Sequence, residues 1–275
     1  MEEVEIIFLG SGGGRFSTIT QKRHTGGIRF IRPINMQLDP GPGAIVYSNQ
    51  LGLDPSKVRA VVISHGHPDH YCDAEIFIEA MTQGGTKKRG YLVCSRSVLK
   101  GNDVCEASVS KYHQNIPEKV FPLAPEEEIE IENVKIIGTS AKHSDPDTVG
   151  FRFKFSSGDV GYTSDTEYFE GVGKQYEGAR LLILSLIRPR GAPLRWHMCS
   201  DDAVKILREA KPEHAIITHF GMKMIFANPG REAQIIESET KIPVTAATDN
   251  MRVLMGEELR VEKEKMRPSL NHFVR

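Results

Sequence analysis

The feature that most restricts the fold is an alternation that runs the length of the chain. Short apolar and β-branched runs, EIIFLG (5–10), GIRFI (27–31), AVVIS (60–64), YLVC (91–94), VKIIG (134–138), VGFRFKF (149–155), LLILS (181–185), HAIIT (214–218) and RVLM (252–255), are separated by segments of helical spacing or turn residues. Runs of this kind suit buried strands, and strands that alternate with helices give an α/β fold. Helices are predicted over 43–51, 72–81, 200–210 and 230–238. The third takes Ser200 as its N-cap and carries Asp201 and Asp202 in its first turn, where their charge suits the helix dipole. No Pro/Ser-rich linker or break in composition divides the 275 residues, so one domain spanning 1–275 is expected.

Composition excludes more than it selects. Lys+Arg at 35 against Asp+Glu at 36 leaves no bulk attraction to a polyanion or a membrane surface. No apolar run approaches the roughly 20 residues of a membrane span, and the acidic start MEEVEIIFLG lacks the basic region of a secretory signal, so the chain reads as cytoplasmic. Cys72, Cys94, Cys105 and Cys199 form no CxxC pair, which argues against a zinc knuckle and against a disulfide framework.

The chemistry-bearing residues lie where strands end. VVISHGHPDH (61–70) places His65, His67, Asp69 and His70 directly behind a buried run. Imidazoles this close lose stability on protonation unless a cation holds them neutral. Imidazole and carboxylate without thiolate suit zinc first, with manganese and iron also compatible. The donors crowded into 65–70 exceed the need of one catalytic ion, so two divalent ions are expected. His143, Asp165 and His219 follow other predicted strands as further ligands, and Asp39 in MQLDPGPG ends a short one, where its carboxylate can orient a ligand histidine. VVISH (61–65) and AIITH (215–219) end alike, which predicts that both histidines reach the same sheet edge. His24, His113, His214 and His272 stand alone and read as ordinary hydrogen-bonded residues.

The order His65-x-His67-x-Asp69-His70, His143, Asp165, His219 resembles the ligand set of the metallo-β-lactamase superfamily, over nearly the whole chain. The resemblance implies a four-layer αβ/βα sandwich. It also implies that His65, His67 and His143 hold one ion and that Asp69, His70 and His219 hold the other, with Asp165 between them and Asp69 serving in catalysis as well as ligation. Aspartate at the bridging position disfavours a true β-lactamase, and the short segment after His219 leaves no helical substrate domain of the glyoxalase II type.

HMCSDDA (197–203) resembles the place where the tRNase Z and related phosphodiesterase branch carries a histidine that protonates the leaving oxygen, which makes His197 a candidate general acid. Arg188, Arg190 and Arg195 approach that histidine and Arg15 follows the first strand. Each is a candidate phosphate clamp, although solvated surface charge explains them equally. The interval from His143 to Asp165 has no room for the tRNA-gripping arm of tRNase Z and is closer to that of a small-molecule phosphodiesterase. The expected function is therefore a dinuclear phosphodiesterase or RNase Z-like nuclease acting on a small phosphodiester or RNA. A carboxylic-ester, lactone or thioester hydrolase is the alternative, and a non-catalytic nucleic-acid-binding protein a further one. A homodimer is compatible with the resemblance, with MKMIFANPG (222–230) serving either an interface or the core.

Overall fold

The computed structural model describes residues 2–262. The chain lays down β1 (Val4–Phe8), β2 (Ile28–Arg32), β3 (Met36–Leu38), β4 (Ala60–Ile63), β5 (Tyr91–Cys94) and β6 (Lys119–Pro122) in one sheet. It then crosses to a second sheet with β7 (Glu128–Ile131), β8 (Val134–Ser140), β9 (Val149–Phe155), β10 (Gly158–Tyr162), β11 (Leu181–Ser185), β12 (His214–Thr218) and β13 (Val244–Ala246), and returns to the first with β14 (Arg252–Met255) and β15 (Leu259–Glu262). The first sheet runs β15-β14-β1-β2-β3-β4-β5-β6 and the second β13-β12-β11-β10-β9-β8-β7. Strands β3 to β6 are parallel, as are β10 to β13, while the remaining pairs are antiparallel.

The helices are α1 (Arg15–Thr20), α2 (Ala44–Gln50), α3 (Pro68–Tyr71), α4 (Ala74–Met81), α5 (Arg96–Lys100), α6 (Lys111–Asn115), α7 (Ser200–Ala210), α8 (Met222–Ala227) and α9 (Pro229–Thr240). Each sheet is sealed on both faces, which explains its continuous apolar runs. In β4, Val62 faces the main core with Phe30 and Phe151, whereas Val61 and Ile63 face the other way, against Phe77 and Ile78 of α4. On the far side, Val204 and Leu207 of α7 and Ile236 of α9 join the core that covers the second sheet. The result is the expected helix–sheet–sheet–helix sandwich.

Every strand predicted above is present. Among those not predicted by name, β7 and β15 lie at sheet edges and alternate polar with apolar residues (EIEI, LRVE), so they lack a buried run. Three expectations need correction. First, the helix predicted over 72–81 begins at Ala74, because Pro68 at a first helical position starts the separate turn α3, which carries Asp69 and His70. Second, the N-cap of α7 is Cys199 and not Ser200; the Asp202 carboxylate reaches back to accept from the Cys199 N–H at 3.2 Å. Third, VVISH and AIITH do not share a sheet edge: β4 belongs to one sheet and β12 to the other, so His65 and His219 reach the same end of the sandwich from opposite sheets and enter different donor groups. The segment 222–230 is divided, with Met224 buried and Phe226 exposed. Among the described residues no helix is long and apolar enough to cross a membrane.

Candidate metal centre

The carboxyl ends of β3, β4, β8, β10 and β12 open at one end of the sandwich, and each is followed within a few residues by a predicted donor or its orienting group. Backbone geometry there is unusual. Asp39, Ser164, Trp196 and His219 all adopt left-handed φ values, at 47°, 55°, 69° and 61°. Non-glycine residues in this region are held there only by surrounding structure, and such residues concentrate at functional sites.

Two clusters result. In the first, His65 Nε2 and His143 Nε2 lie 3.0 and 3.1 Å from His67 Nδ1. In the second, His219 Nε2 lies 3.1 Å from His70 Nε2 and 3.2 Å from Asp69 Oδ2. Asp165 sits between them, its Oδ2 4.0 Å from His143 Nε2 and 3.7 Å from His70 Nε2. The triads His65/His67/His143 and Asp69/His70/His219 each bring their donor atoms within 4.8 Å of one another, as do His65/His70/Asp165 and His143/Asp165/His197.

Tautomers are fixed from behind. Asp39 accepts from the Ser64 N–H at 2.7 Å, Ser64 Oγ at 2.8 Å, His70 Nδ1 at 2.9 Å and Tyr162 Oη at 2.7 Å. His65 Nδ1 meets Ser64 Oγ, whose own proton is committed to Asp39, and His143 Nδ1 donates to the Trp196 carbonyl at 2.8 Å. With those protons placed behind, the Nε2 lone pairs of His65 and His143 both point at His67 Nδ1, which holds at most one proton. Lone pairs this close repel unless a cation lies between them, and the buried Asp165 Oδ1 has no hydrogen-bond partner. The donor set therefore fits divalent metal ions.

Electrostatics agree. Burial drives His65 well below its ordinary pKa, with the neighbouring His70 and His143 adding to the effect, and His67 is lowered by the same causes. Burial opposes the charge on His70, but Asp69, Asp39 and Asp165 outweigh it and hold this imidazole well above its ordinary value. Burial would raise Asp165, yet His219 and His70 keep it well below the carboxylate range.

His197 stands beside Asp165, its Nδ1 3.5 Å from Asp165 Oδ2 and its ring 4.9 Å from that of His143. Burial pushes it down to about 4 against the pull of Asp165. Of the candidate clamps, Arg15 is exposed on the first turn of α1, Arg188 is half-buried and Arg195 lies over the Trp196 ring at 4.4 Å. Arg190 is a correction: it pairs with Asp201 at 3.2 Å and with Glu239, so it ties the 190s loop to α7 and α9 and is not free for phosphate. The lone histidines sit elsewhere. His24 stacks on Tyr47, His113 meets Ser110 and Glu79, and His214 meets Thr245, while His272 lies outside the described residues.

One contributor was not predicted. Asp145, buried, accepts from the Gly66 N–H at 3.0 Å, Ser97 Oγ at 2.6 Å, Asn102 Nδ2 at 2.9 Å and the Asp147 N–H at 3.1 Å. It thereby pins the turn between His65 and His67 to the loop that carries His143. The Asp-Pro-Asp turn composition at 145–147 is the sequence sign of it. The GSGGG run (10–14) also gains a role: Gly14 N–H donates to Asp69 Oδ2 at 2.8 Å, and a Cβ on Gly13 would lie 2.1 Å from the His219 ring.

The likeness to known proteins is broad. The chain is 46% identical over 253 residues to an uncharacterized protein of Methanocaldococcus jannaschii, covering 91% of this chain and 94% of that one. Its fold is shared with human tRNase Z, short form, at TM-score 0.69 and 16% identity, covering 92% of this chain and 99% of that structure. It is shared equally with a diphosphatase of the PhnP family, at TM-score 0.68 and 18% identity over 94% and 100%. At these identities the two structures speak to the fold alone. The family model described as the β-lactamase superfamily domain matches residues 35–220, from just before β3 to just after His219. That interval contains all seven donors, and on this match the chain belongs to the β-lactamase superfamily, as a hydrolase-fold protein with a metal-binding site.

Proposed function

We propose that the protein is a dinuclear metal-dependent phosphodiesterase. The observation that carries this reading is His197: an imidazole outside the two donor triads, held 3.5 Å from the carboxylate between them. In this reading His65, His67 and His143 would hold one divalent ion and Asp69, His70 and His219 the other, with Asp165 lying between the two triads. Zinc suits the donors best. When bound, such ions supply Lewis-acid polarisation of a phosphoryl oxygen and acidify water.

The chain's own residues do the rest. Asp39 and the Trp196 carbonyl keep the ligand imidazoles in the tautomer that presents Nε2 to the site. With Nδ1 turned to Asp165, His197 has Nε2 left to donate a proton to the departing alkoxide. An acid must carry that proton on arrival of substrate. The anionic phosphodiester adds negative charge beside an imidazole that burial otherwise discharges, and so raises its proton affinity. Arg15, Arg188 and Arg195 remain as candidate phosphate contacts. A diphosphatase and a tRNase share this fold, which accords with a phosphodiesterase reading without deciding it against acyl chemistry.

The test is hydrolysis of bis-p-nitrophenyl phosphate against a p-nitrophenyl ester panel, with EDTA and metal add-back, in wild type and His197→Ala. The expected result is metal-dependent diester turnover that His197→Ala lowers by about 10²–10⁴-fold with metal content unchanged. Turnover of esters alone would replace this reading with an acyl hydrolase. Parallel assays on precursor tRNA and a 2′,3′-cyclic nucleotide then separate a nuclease from a small-molecule enzyme.

A further inference from the structure

Trp196 raises a question that the ligand set does not answer. It is a non-glycine residue at φ 69°, and its two peptide groups lie beside the centre. Its N–H donates to Glu167 Oε2 at 2.9 Å, and its carbonyl accepts from His143 Nδ1 at 2.8 Å. The next residue is His197. One strained backbone position thus sets the tautomer of a metal-ligand imidazole and the placement of the proposed proton donor.

That position is the third residue of a turn closed by the His197 N–H on the Leu194 carbonyl at 3.1 Å, and from outside the turn its N–H is held by Glu167. Its other carboxylate oxygen takes Lys142 Nζ at 2.7 Å, and its N–H donates to the Lys142 carbonyl at 2.9 Å. The side chain is 24% exposed, so the carboxylate sits at the rim without being free in water. It ties together three loops: the one after β8 with His143, the one after β10 with Asp165, and the one before α7 with His197. We infer that Glu167 is a positioning residue that, by clamping the Trp196 peptide, fixes both His143 and His197.

The physical argument is local. A peptide N–H at a left-handed residue outside strand or helix has no regular partner, and relaxation to negative φ is downhill unless something retains it. Without the Glu167 carboxylate only the Leu194–His197 turn bond retains the Trp196 peptide, so its carbonyl loses its fixed aim at His143 Nδ1 and His197 its fixed placement. The inference rests on the ligand role of His143 and the donor role of His197, so its test separates the two.

The experiment uses the full chain and three readouts. Trp196 is the only tryptophan, so intrinsic emission reports on this peptide directly. Zinc affinity is measured by competition with a chromophoric chelator, and turnover with bis-p-nitrophenyl phosphate. Glu167→Ala is expected to weaken zinc binding by about 10–100-fold, the usual effect of losing a group that orients a ligand. It should also shift the emission of Trp196 and lower kcat with KM little changed. Glu167→Gln keeps an oxygen acceptor for the N–H and should stay within about threefold of wild type in zinc affinity, the ordinary margin for a retained neutral hydrogen bond.

The decisive arm is rescue: Trp196→Gly in the Glu167→Ala background, since glycine accepts this φ without strain, should recover part of the lost zinc affinity. Wild-type zinc affinity and emission in Glu167→Ala, equal damage in Glu167→Gln, or no rescue by glycine would each overturn the inference. If Glu167→Ala does not fold, Lys142→Ala loosens the same carboxylate; a smaller loss of zinc affinity supports the clamp and no loss overturns it. Failure of the phosphodiesterase reading would instead show as absent turnover in wild type, with the zinc and emission responses intact.

Discussion

At the scale of single residues, the centre is organised by groups that hydrogen-bond the donors from behind. Asp39 is the clearest, since one buried carboxylate accepts from Ser64 twice, from His70 and from Tyr162. Asp39→Ala strands several buried donors beside a charged imidazole. It is expected to cost about 3–5 kcal/mol of stability, as broken buried pairs do, and to weaken zinc by about 10–100-fold; urea unfolding and chelator competition check both.

A pH dependence follows from the same residues. His65, His67 and His197 have lowered pKa values when metal-free, chiefly through burial, with His197 at about 4. Their contribution to stability is present above the ordinary value of 6.5 and is lost as pH falls through the window below it. His70, raised by its carboxylates against burial, contributes fully below the ordinary value and loses that contribution as pH rises through its folded value. Three groups against one predict that the protein in EDTA is less stable at pH 5 than at pH 7. A higher urea midpoint at pH 5 would contradict it.

At the scale of elements, the loops that carry the donors are short, and strands and hydrogen-bond tethers fix their ends. Between Ile63 and Pro68 the chain makes no regular structure, yet Gly66 is held by Asp145 from the opposite sheet's loop. Asp145→Ala should release that turn. The expected outcome is weaker zinc binding with little change in far-UV circular dichroism, because the strands on either side do not depend on the contact. Loss of strand signal together with metal binding would mean that Asp145 holds the fold and not the turn. Gly13 acts in the opposite sense, by having no side chain where the His219 ring sits, while Gly14, at φ 73°, gives its N–H to Asp69.

At the scale of the molecule, the donors come from both halves of the sandwich. His65, His67, Asp69 and His70 follow β4 of the first sheet, whereas His143, Asp165 and His219 follow strands of the second. Metal held by these donors would therefore join the two sheets as well as serve chemistry. Metal removal should lower Tm reversibly, with linkage supplying about 4 kcal/mol when free metal is a thousandfold above Kd. Thermal melts in EDTA and after zinc add-back test this, and an unchanged Tm would mean that the ions do not bridge the halves.

The sequence by itself determined the strands buried on both faces and the donors behind them. AVVI and HAIIT admit little else, and crowding four donors into 65–70 leaves few explanations besides a metal. Edge strands such as β7 escaped because half their residues face water, and the N-cap of α7 moved by one residue because a cap depends on side-chain geometry. Only the tertiary structure decided the roles of Arg190, Asp145 and Glu167. Arg190 answers to Glu239, Asp145 to Gly66 and Glu167 to Trp196, partners far along the chain. Local pattern records what a segment buries; which charge meets which donor is settled when the two sheets close on each other.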